Sequence, residues 1–434
     1  MISQKEYIKR RKRLTKSLQI NSMTLLLSAT QKTRSHDTEF PYRQNSNFYY
    51  LSGFKEDEAA LLIVKTKESI KEYFFVAKKE PQMELWTGKR LGVEKAKEIF
   101  SFDDVFEFTQ LQEKIAAFSA GIDSFYYDFE ESQARLTSLK SELKSVECFY
   151  NVASIVGALR LVKSAAEINL IKEAINITKE AHHRAMQVSS KLTYEYQLQA
   201  EIEYVFKKNG AYSDAYTSIV ACGNRANTLH YISNDKALEK NSLILIDAGC
   251  EYNYYASDIT RTIPVSGVFS DAQTELYELV LSVNKAIIKM IRPKVLRSKL
   301  QAKSEELLCQ GMLELGILHG NFQELLDAKA HKKYYPHGIG HWMGLDVHDA
   351  CPYKDKDGKE IPLKAGMVLT IEPGIYLDAD DKSVPKKYRG IGIRIEDDIL
   401  VTKEGYENLS EQIVKEMEDI RLFKSITHTS NSNL

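Results

Sequence analysis

The stretch LILIDAGCEYNYYASDITRTIPV, residues 243–265, decides how this chain folds. Its opening apolar run, Leu243 to Ala248, has the texture of a strand buried on both faces, and it contains Asp247. A lone buried carboxylate is expensive to desolvate, so Asp247 needs company. The turn-forming residues from Gly249 to Asn253 predict a hairpin that returns through a second strand, Tyr254 to Thr262. Strand alternation puts Asp258 on one face with Ala256, Thr260 and Thr262, and the hairpin can bring Asp247 and Asp258 together.

The same pattern recurs downstream. Glu372 ends the strand Met367 to Glu372 in MVLTIEPG, and Glu396 lies in GIGIRIEDD, within a strand expected from Ile391 to Leu400. There Ile391, Ile393 and Ile395 face one way and Arg394 and Glu396 the other. Any one of these acids alone reads most simply as exposed or ion-paired. Four at strand positions read as a site. If they converge, their charge demands neutralisation, and two divalent cations turn repulsion into coordination. Oxygen-rich ligation with one imidazole favours Mn²⁺ or Co²⁺ over a structural zinc. The segment HGIGHWMGLDVHD, 337–349, offers the imidazole: it holds His337, His341 and His348 among glycines that permit close backbone approach. A centre with two ions roughly 3.5–4 Å apart polarises a carbonyl and anchors an amino group, which is the chemistry of peptide or ester hydrolysis.

Outward from these motifs, 434 residues favour two domains. Residues 1–160 alternate short apolar runs with charged helical stretches and read as an α/β domain. From 161 to 424 long amphipathic helices alternate with antiparallel strands, an α+β domain. One helix carries Ile168, Ile171 and Ile175; another carries Leu198, Ile202 and Phe206 and stops at Gly210; a third opens with the capping box Ser270 and Gln273. The last residues, 425–434, SITHTSNSNL, read as a disordered polar tail. Lys plus Arg (59) nearly cancels Asp plus Glu (60), which removes a global electrostatic argument for nucleic acid or an anionic membrane. Five scattered cysteines fit no disulfide framework or zinc ribbon and suggest a reducing, cytoplasmic setting. The basic run Arg10 to Arg13 is followed only by Met23 to Leu27, too short an apolar core for a signal peptide, and no segment reaches bilayer-spanning length.

Asp247, Asp258, His341, Glu372 and Glu396 resemble, in order and context, the five metal ligands of the pita-bread metallopeptidases. TRSHDTEFPYRQNSNFYYLSGF (33–54) and LWTGKRLG (85–92) are similar to segments of the N-terminal domain of Xaa-Pro aminopeptidases, the aminopeptidase P group, bacterial members above all. With IDAGCEYNYYASDITRTIPV (246–265) and YRGIGIRIEDD (388–398), the resemblance covers nearly the whole chain.

The resemblance implies a pita-bread fold, a curved antiparallel sheet covered by helices. It implies a dinuclear aminopeptidase with two divalent ions, foremost Mn²⁺ with Co²⁺ or Zn²⁺ as alternatives, acting on peptides with proline at position two. Asp247 then chelates one ion, Asp258 and Glu396 bridge both, and His341 with Glu372 complete the second, Glu372 serving as proton shuttle. His230, His337 and His348 surround the substrate, His348 near the scissile carbonyl and His230 on the proline side, with Tyr376 and Arg394 behind them. Asp37 and Trp86 match positions that approach an active site across a subunit contact, and the family forms homo-oligomers, dimers or tetramers. A dipeptidase of the same fold that cleaves Xaa-Pro dipeptides and a metal-free binding protein are the alternatives; a methionine aminopeptidase has no need of the long N-terminal domain. Two departures stand out: Gly340 replaces the Ser of His-Gly-x-Ser-His, and Lys294 follows Pro293 where Pro-Gly is common.

Overall fold

The computed structural model describes residues 2–130, 137, 139, 142, 143 and 146–429. The chain divides into two units, Met1–Arg160 and Leu161–Leu434.

In the first unit the strand Ser22–Leu27 is buried at every residue. It lies inside a six-stranded sheet, antiparallel to Ala60–Lys65 and parallel to Ser124–Tyr127. A strand covered on both faces has no solvent side, so SMTLLL shows no polar alternation. One face packs Met23, Leu25 and Leu27 with Leu62, Phe75 and Phe125 beneath Leu111 and Ile115. The basic run is partly internal. Arg10 and Arg11, on the helix Gln4–Ser17, are 1 % exposed and donate through their Nη1 atoms to the carbonyls of Tyr50 and Leu51, 3.0 Å each. Those carbonyls belong to the last turn of the helix Ser46–Ser52, which has no intrahelical donors for them.

In the second unit, Ser164 and Ser270 each cap a long helix reciprocally with the residue three on, Glu167 and Gln273. The helix Ala165–Val188 packs on Glu195–Lys208 and on a small hairpin at Cys250–Tyr252; Asp271–Met290 packs on Arg297–Glu314 and on the strand Ile391–Arg394. The strands form short antiparallel sets: Ile219–Cys222 with Leu243–Asp247 and Thr260–Pro264, Val368–Ile371 with Asp397–Val401 and Tyr406–Asn408, and Gly374–Leu377 with Ile391–Arg394.

Two strands expected to be continuous are broken, both at functional residues. The hairpin after Asp247 is nested. Cys250–Tyr252 turns at Asn253 and Tyr254, both left-handed with φ of 49° and 73°, and returns through Tyr255–Ala256. Ser257–Ile259 then lies outside the strands before Thr260–Pro264 rejoins Leu243–Asp247. At Gly249 the two arms pass so closely that a Cβ there would lie 1.8 Å from the Ser257 carbonyl oxygen. Ile391 to Leu400 divides into Ile391–Arg394 and Asp397–Val401, because the halves pair with different partners. Those partners are separated by Glu372 and Pro373, and Pro373 has no N–H to continue a ladder.

The expected tail is also corrected at its start: a helix runs from Met417 to Thr429, anchored by buried Ile420, and only residues 430–434 lie outside the described residues. Met417, Ile420 and Phe423 keep helical spacing up to the polar composition and carry the helix into it. Lys294 adopts φ 74°, a left-handed conformation that glycine takes at no steric penalty.

Candidate metal centre

The four acids sit where the strands stop. Asp247 is the last residue of its strand, Asp258 lies between Tyr255–Ala256 and Thr260–Pro264, Glu372 follows Val368–Ile371, and Glu396 fills the break between Ile391–Arg394 and Asp397–Val401. His341 arrives on a loop stitched to the strand beside it: Thr370 N–H donates to the His341 carbonyl at 2.9 Å, and His341 N–H donates to Thr370 Oγ1 at 3.0 Å. The fit is tight at Gly340, where a Cβ would meet the Thr370 carbonyl oxygen at 1.9 Å. The Gly340 departure therefore belongs to a loop drawn hard against the strand that leads into Glu372.

One donor atom from each of Asp258, His341 and Glu396 falls within 4.8 Å of the others. His341 Nε2 lies 3.3 Å from Asp258 Oδ2 and 3.7 Å from Glu372 Oε1. Its Nδ1 faces the Trp342 carbonyl at 3.1 Å, which assigns the proton to Nδ1 and leaves Nε2 as the donor to a cation. Asp247 joins through Tyr216, whose hydroxyl is 2.6 Å from an oxygen of Asp247 and 2.6 Å from one of Asp258.

Burial sets the electrostatics. It pushes the Glu372 carboxyl up to about 7, against the pull of His341 and Arg394, and holds Glu396 well above the usual range, with Asp258 and Glu372 adding to the effect. Asp247 is likewise raised by burial, against Arg394. At His341 burial opposes the charge, but the Asp258 hydrogen bond and the carboxylates of Glu372 and Asp258 outweigh it and push the imidazole up to about 9. Four carboxylates crowded around one imidazole nitrogen fit divalent cations, which supply the missing positive charge. The oxygen-rich donor set fits two such ions.

Behind the acids runs a chain of polar groups. Arg394 Nη2 donates to Asp247 Oδ2 at 2.6 Å, its Nε to Thr260 Oγ1 at 3.1 Å and its Nη1 to the Tyr376 hydroxyl at 2.9 Å. Tyr376 Oη meets His337 Nε2 at 2.8 Å, while His337 Nδ1 faces the Gly338 carbonyl at 2.8 Å. Because Tyr376 already accepts from Arg394, its own proton goes to His337, which is neutral: burial, aided by Arg394, pushes it down to about 3. Arg394 on its strand face suits a charge-assisted bond to a ligand carboxylate, and that carboxylate is Asp247; Glu396, two residues on, accepts from Thr260 Oγ1 at 2.6 Å.

His348 stands edge-on to His341, ring centroids 4.2 Å apart. The next residue, Asp349, is buried against Lys163 at 2.9 Å, which ties this loop to the segment leading into the helix Ala165–Val188. The four acids, His337, His341, His348 and the exposed His230 line one cavity of about 410 Å³, with Leu229, Ile232 and Val347 supplying apolar wall. All the candidate residues of this unit are thus brought together. Asp37 and Trp86 belong to the first unit, both exposed; Trp86, at 88 %, is no part of that unit's core.

The sequence gives no sign of Tyr216 or Thr370, and it places Thr260 only as a neighbour of Asp258 on one strand face. A tyrosine just before a short strand carries no spacing signal, but the register that opposes Ile219 to Asp247 brings Tyr216 to the same end of the sheet. Asp398, in the acidic run of IEDD, accepts the Asp258 backbone N–H at 3.1 Å, so only the first of those three acids faces the centre.

Residues 169–403 match the sequence profile of metallopeptidase family M24. The chain belongs to family M24. Residues 7–126 match the aminopeptidase P N-terminal domain, so this M24 member carries that domain ahead of its metallopeptidase domain. It is 39 % identical to the Xaa-Pro aminopeptidase of Haemophilus influenzae, over 96 % of this chain and 97 % of that one. Identity to the Escherichia coli Xaa-Pro aminopeptidase is 38 %, over 96 % and 97 %. Among solved structures, zinc-substituted E. coli aminopeptidase P in complex with product superposes on it with a TM-score of 0.94 at 37 % identity, covering 98 % of this chain and 99 % of that one. Proline aminopeptidase P II from Yersinia pestis gives 0.94 at 36 %, covering 98 % and 100 %.

Proposed function

We propose that this M24 chain is a metal-dependent Xaa-Pro aminopeptidase, which hydrolyses the bond between the first residue of a peptide and a proline at position two. One observation carries the reading: four carboxylates and the Nε2 of His341 converge on a cavity whose walls hold three further histidines. Relatives bearing that activity's name match almost end to end.

Asp247, Asp258, His341, Glu372 and Glu396 would hold two divalent cations, Mn²⁺ foremost, with Co²⁺ or Zn²⁺ as alternatives. Such ions, when bound, polarise the scissile carbonyl and acidify the attacking water. The chain does the rest. Glu372 takes the proton of the attacking water and passes it to the proline nitrogen as the C–N bond breaks. That nitrogen carries no hydrogen in the peptide, so it must receive a proton to leave as a secondary amine. His348 stabilises the developing oxyanion, and His230 with His337 shapes the proline pocket. The Arg394–Tyr376–His337 chain keeps His337 neutral and fixed.

A pita-bread architecture, a curved antiparallel sheet covered by helices, goes with this function; the short antiparallel strand sets and the packing of the helices Ala165–Val188 and Asp271–Met290 on strands support it. A domain boundary at 160 accords with the two compact units. Five free thiols support a cytoplasmic setting, and exposed Leu85 and Trp86 support a homo-oligomer, dimer or tetramer. No helix among the described residues is long and apolar enough to cross a membrane.

The test is a peptide panel run with added Mn²⁺ and after chelation, varying only whether position two is proline. Cleavage of Xaa-Pro-Yaa tripeptides, lost on chelation and absent when alanine replaces proline, supports the proposal. Cleavage confined to dipeptides, or none with metal bound, overturns it.

A further inference from the structure

Asn284 is a polar residue on the buried face of the helix Asp271–Met290, fully enclosed and remote in sequence from every metal-ligand candidate. Its Nδ2 donates to the carbonyl of Ile371 at 3.1 Å and to that of Ile395 at 3.3 Å. Ile371 immediately precedes Glu372, and Ile395 immediately precedes Glu396. One carboxamide thus uses both of its hydrogens on the two strand ends that deliver two of the acids. Its Oδ1 accepts from Lys415 Nζ at 3.0 Å, and Lys415 also pairs with Asp397, the residue after Glu396. Asp397 in turn holds Arg261 at 2.9 Å, whose guanidinium also donates to the carbonyls of Thr260 and Glu396.

We infer that Asn284 is a positioning residue for the metal centre: it fixes the spacing of Glu372 and Glu396 by clamping the backbone behind each. The inference rests on the metal-centre reading above. The strands holding these acids are broken there, between Ile371 and Gly374 on one side and between Arg394 and Asp397 on the other. Main-chain bonds hold the N–H side of the break, Glu372 to Ile339, Glu396 to Thr260 and Ile395 to Pro373, and the Asn284 amide holds the carbonyl side of both segments at once. Asn suits the task because it supplies two donors on one nitrogen together with an acceptor. Asp keeps the bond to Lys415 and loses both donors; Leu keeps approximate volume and loses everything. Outer partners of metal ligands typically contribute a factor of about 10–100 in metal affinity.

The experiment titrates metal-free protein with Mn²⁺ by calorimetry and with Co²⁺ by visible absorption, for wild type, Asn284→Leu, Asn284→Asp and the control Val280→Ala. Val280 is buried on the same helix and is absent from the clamp, so its truncation reports loss of packing alone. The expected result is that both Asn284 variants bind about 10–100-fold more weakly with an altered Co²⁺ spectrum, while Val280→Ala at similar thermal stability keeps wild-type affinity and spectrum. If one Asn284 variant fails to fold, the other carries the comparison. Wild-type affinity and spectrum in a folded Asn284 variant overturn the inference, as does equal weakening in Val280→Ala. Absence of binding by the wild type instead overturns the metal-centre reading on which it rests.

Discussion

Arg394 Nη2 lies 2.6 Å from Asp247 Oδ2 although 147 residues separate the two in the chain. The guanidinium is 5 % exposed and the carboxylate 12 %, and the same arginine holds the Tyr376 hydroxyl. One positive charge therefore serves an acid of the centre and the hydroxyl that orients His337. Arg394→Met leaves Asp247 without its cation, and breaking a buried pair by removing one partner costs about 3–5 kcal/mol. Most of that loss is expected in the metal-free protein, because bound cations also neutralise Asp247. Thermal melts with and without Mn²⁺ check this; an equal drop in both states contradicts it.

Glu372→Gln keeps shape and removes the group that accepts and delivers the proton. Turnover of an Xaa-Pro-Yaa peptide should fall by about 10²–10⁴, with KM changed little. Metal content is to be measured alongside, since a variant that retains its ions and its rate eliminates Glu372 as the shuttle.

The metal-free protein should lose stability between pH 6.5 and pH 8. Its folded state holds His341 protonated up to about 9, whereas the ordinary value is 6.5, so the folded state binds more protons than the unfolded one across this window. Glu372, raised from 4.5 to about 7, acts with the same sign at the lower edge of the window. The contribution is fully present below 6.5 and lost as pH climbs toward 9, on the order of 1–2 kcal/mol by pH 8. Below 6.5 the neutral His337, His182 and His183 oppose the trend, because each binds its proton less readily folded than unfolded. Cations replace the proton on His341, so denaturant melts of the Mn²⁺-loaded protein should show a much flatter pH dependence.

Gly340→Ala places a methyl 1.9 Å from the Thr370 carbonyl oxygen, a backbone atom that cannot rotate aside. The loop carrying His341 must lift from the strand, at roughly 1–3 kcal/mol. Chemical denaturation should register that loss. Metal affinity should fall with it, since Thr370 holds both the N–H and the carbonyl of His341. Gly338→Ala is the contrasting variant: its nearest neighbour, Gln301 Oε1 at 3.7 Å, leaves ordinary van der Waals room, and little change is expected.

Local features were readable without coordinates. The run LILID, the serine cap at 270 and the periodic helices follow from neighbouring residues alone, because burial pattern and capping depend on positions within a few residues of one another. Four acids at strand positions and a histidine in a glycine-rich loop also announced a charged centre, since a chain seldom places so many carboxylates in apolar runs without a cation to justify them. Partnership was another matter. Arg394 choosing Asp247, Tyr216 spanning Asp247 and Asp258, Asn284 reaching two strand ends, and the two breaks that aim the acids inward all depend on registers between segments scores of residues apart. A strand's own alternation says which side chains share a face; only the pairing of distant strands, and the glycine and proline positions where that pairing stops, decides which of them meet.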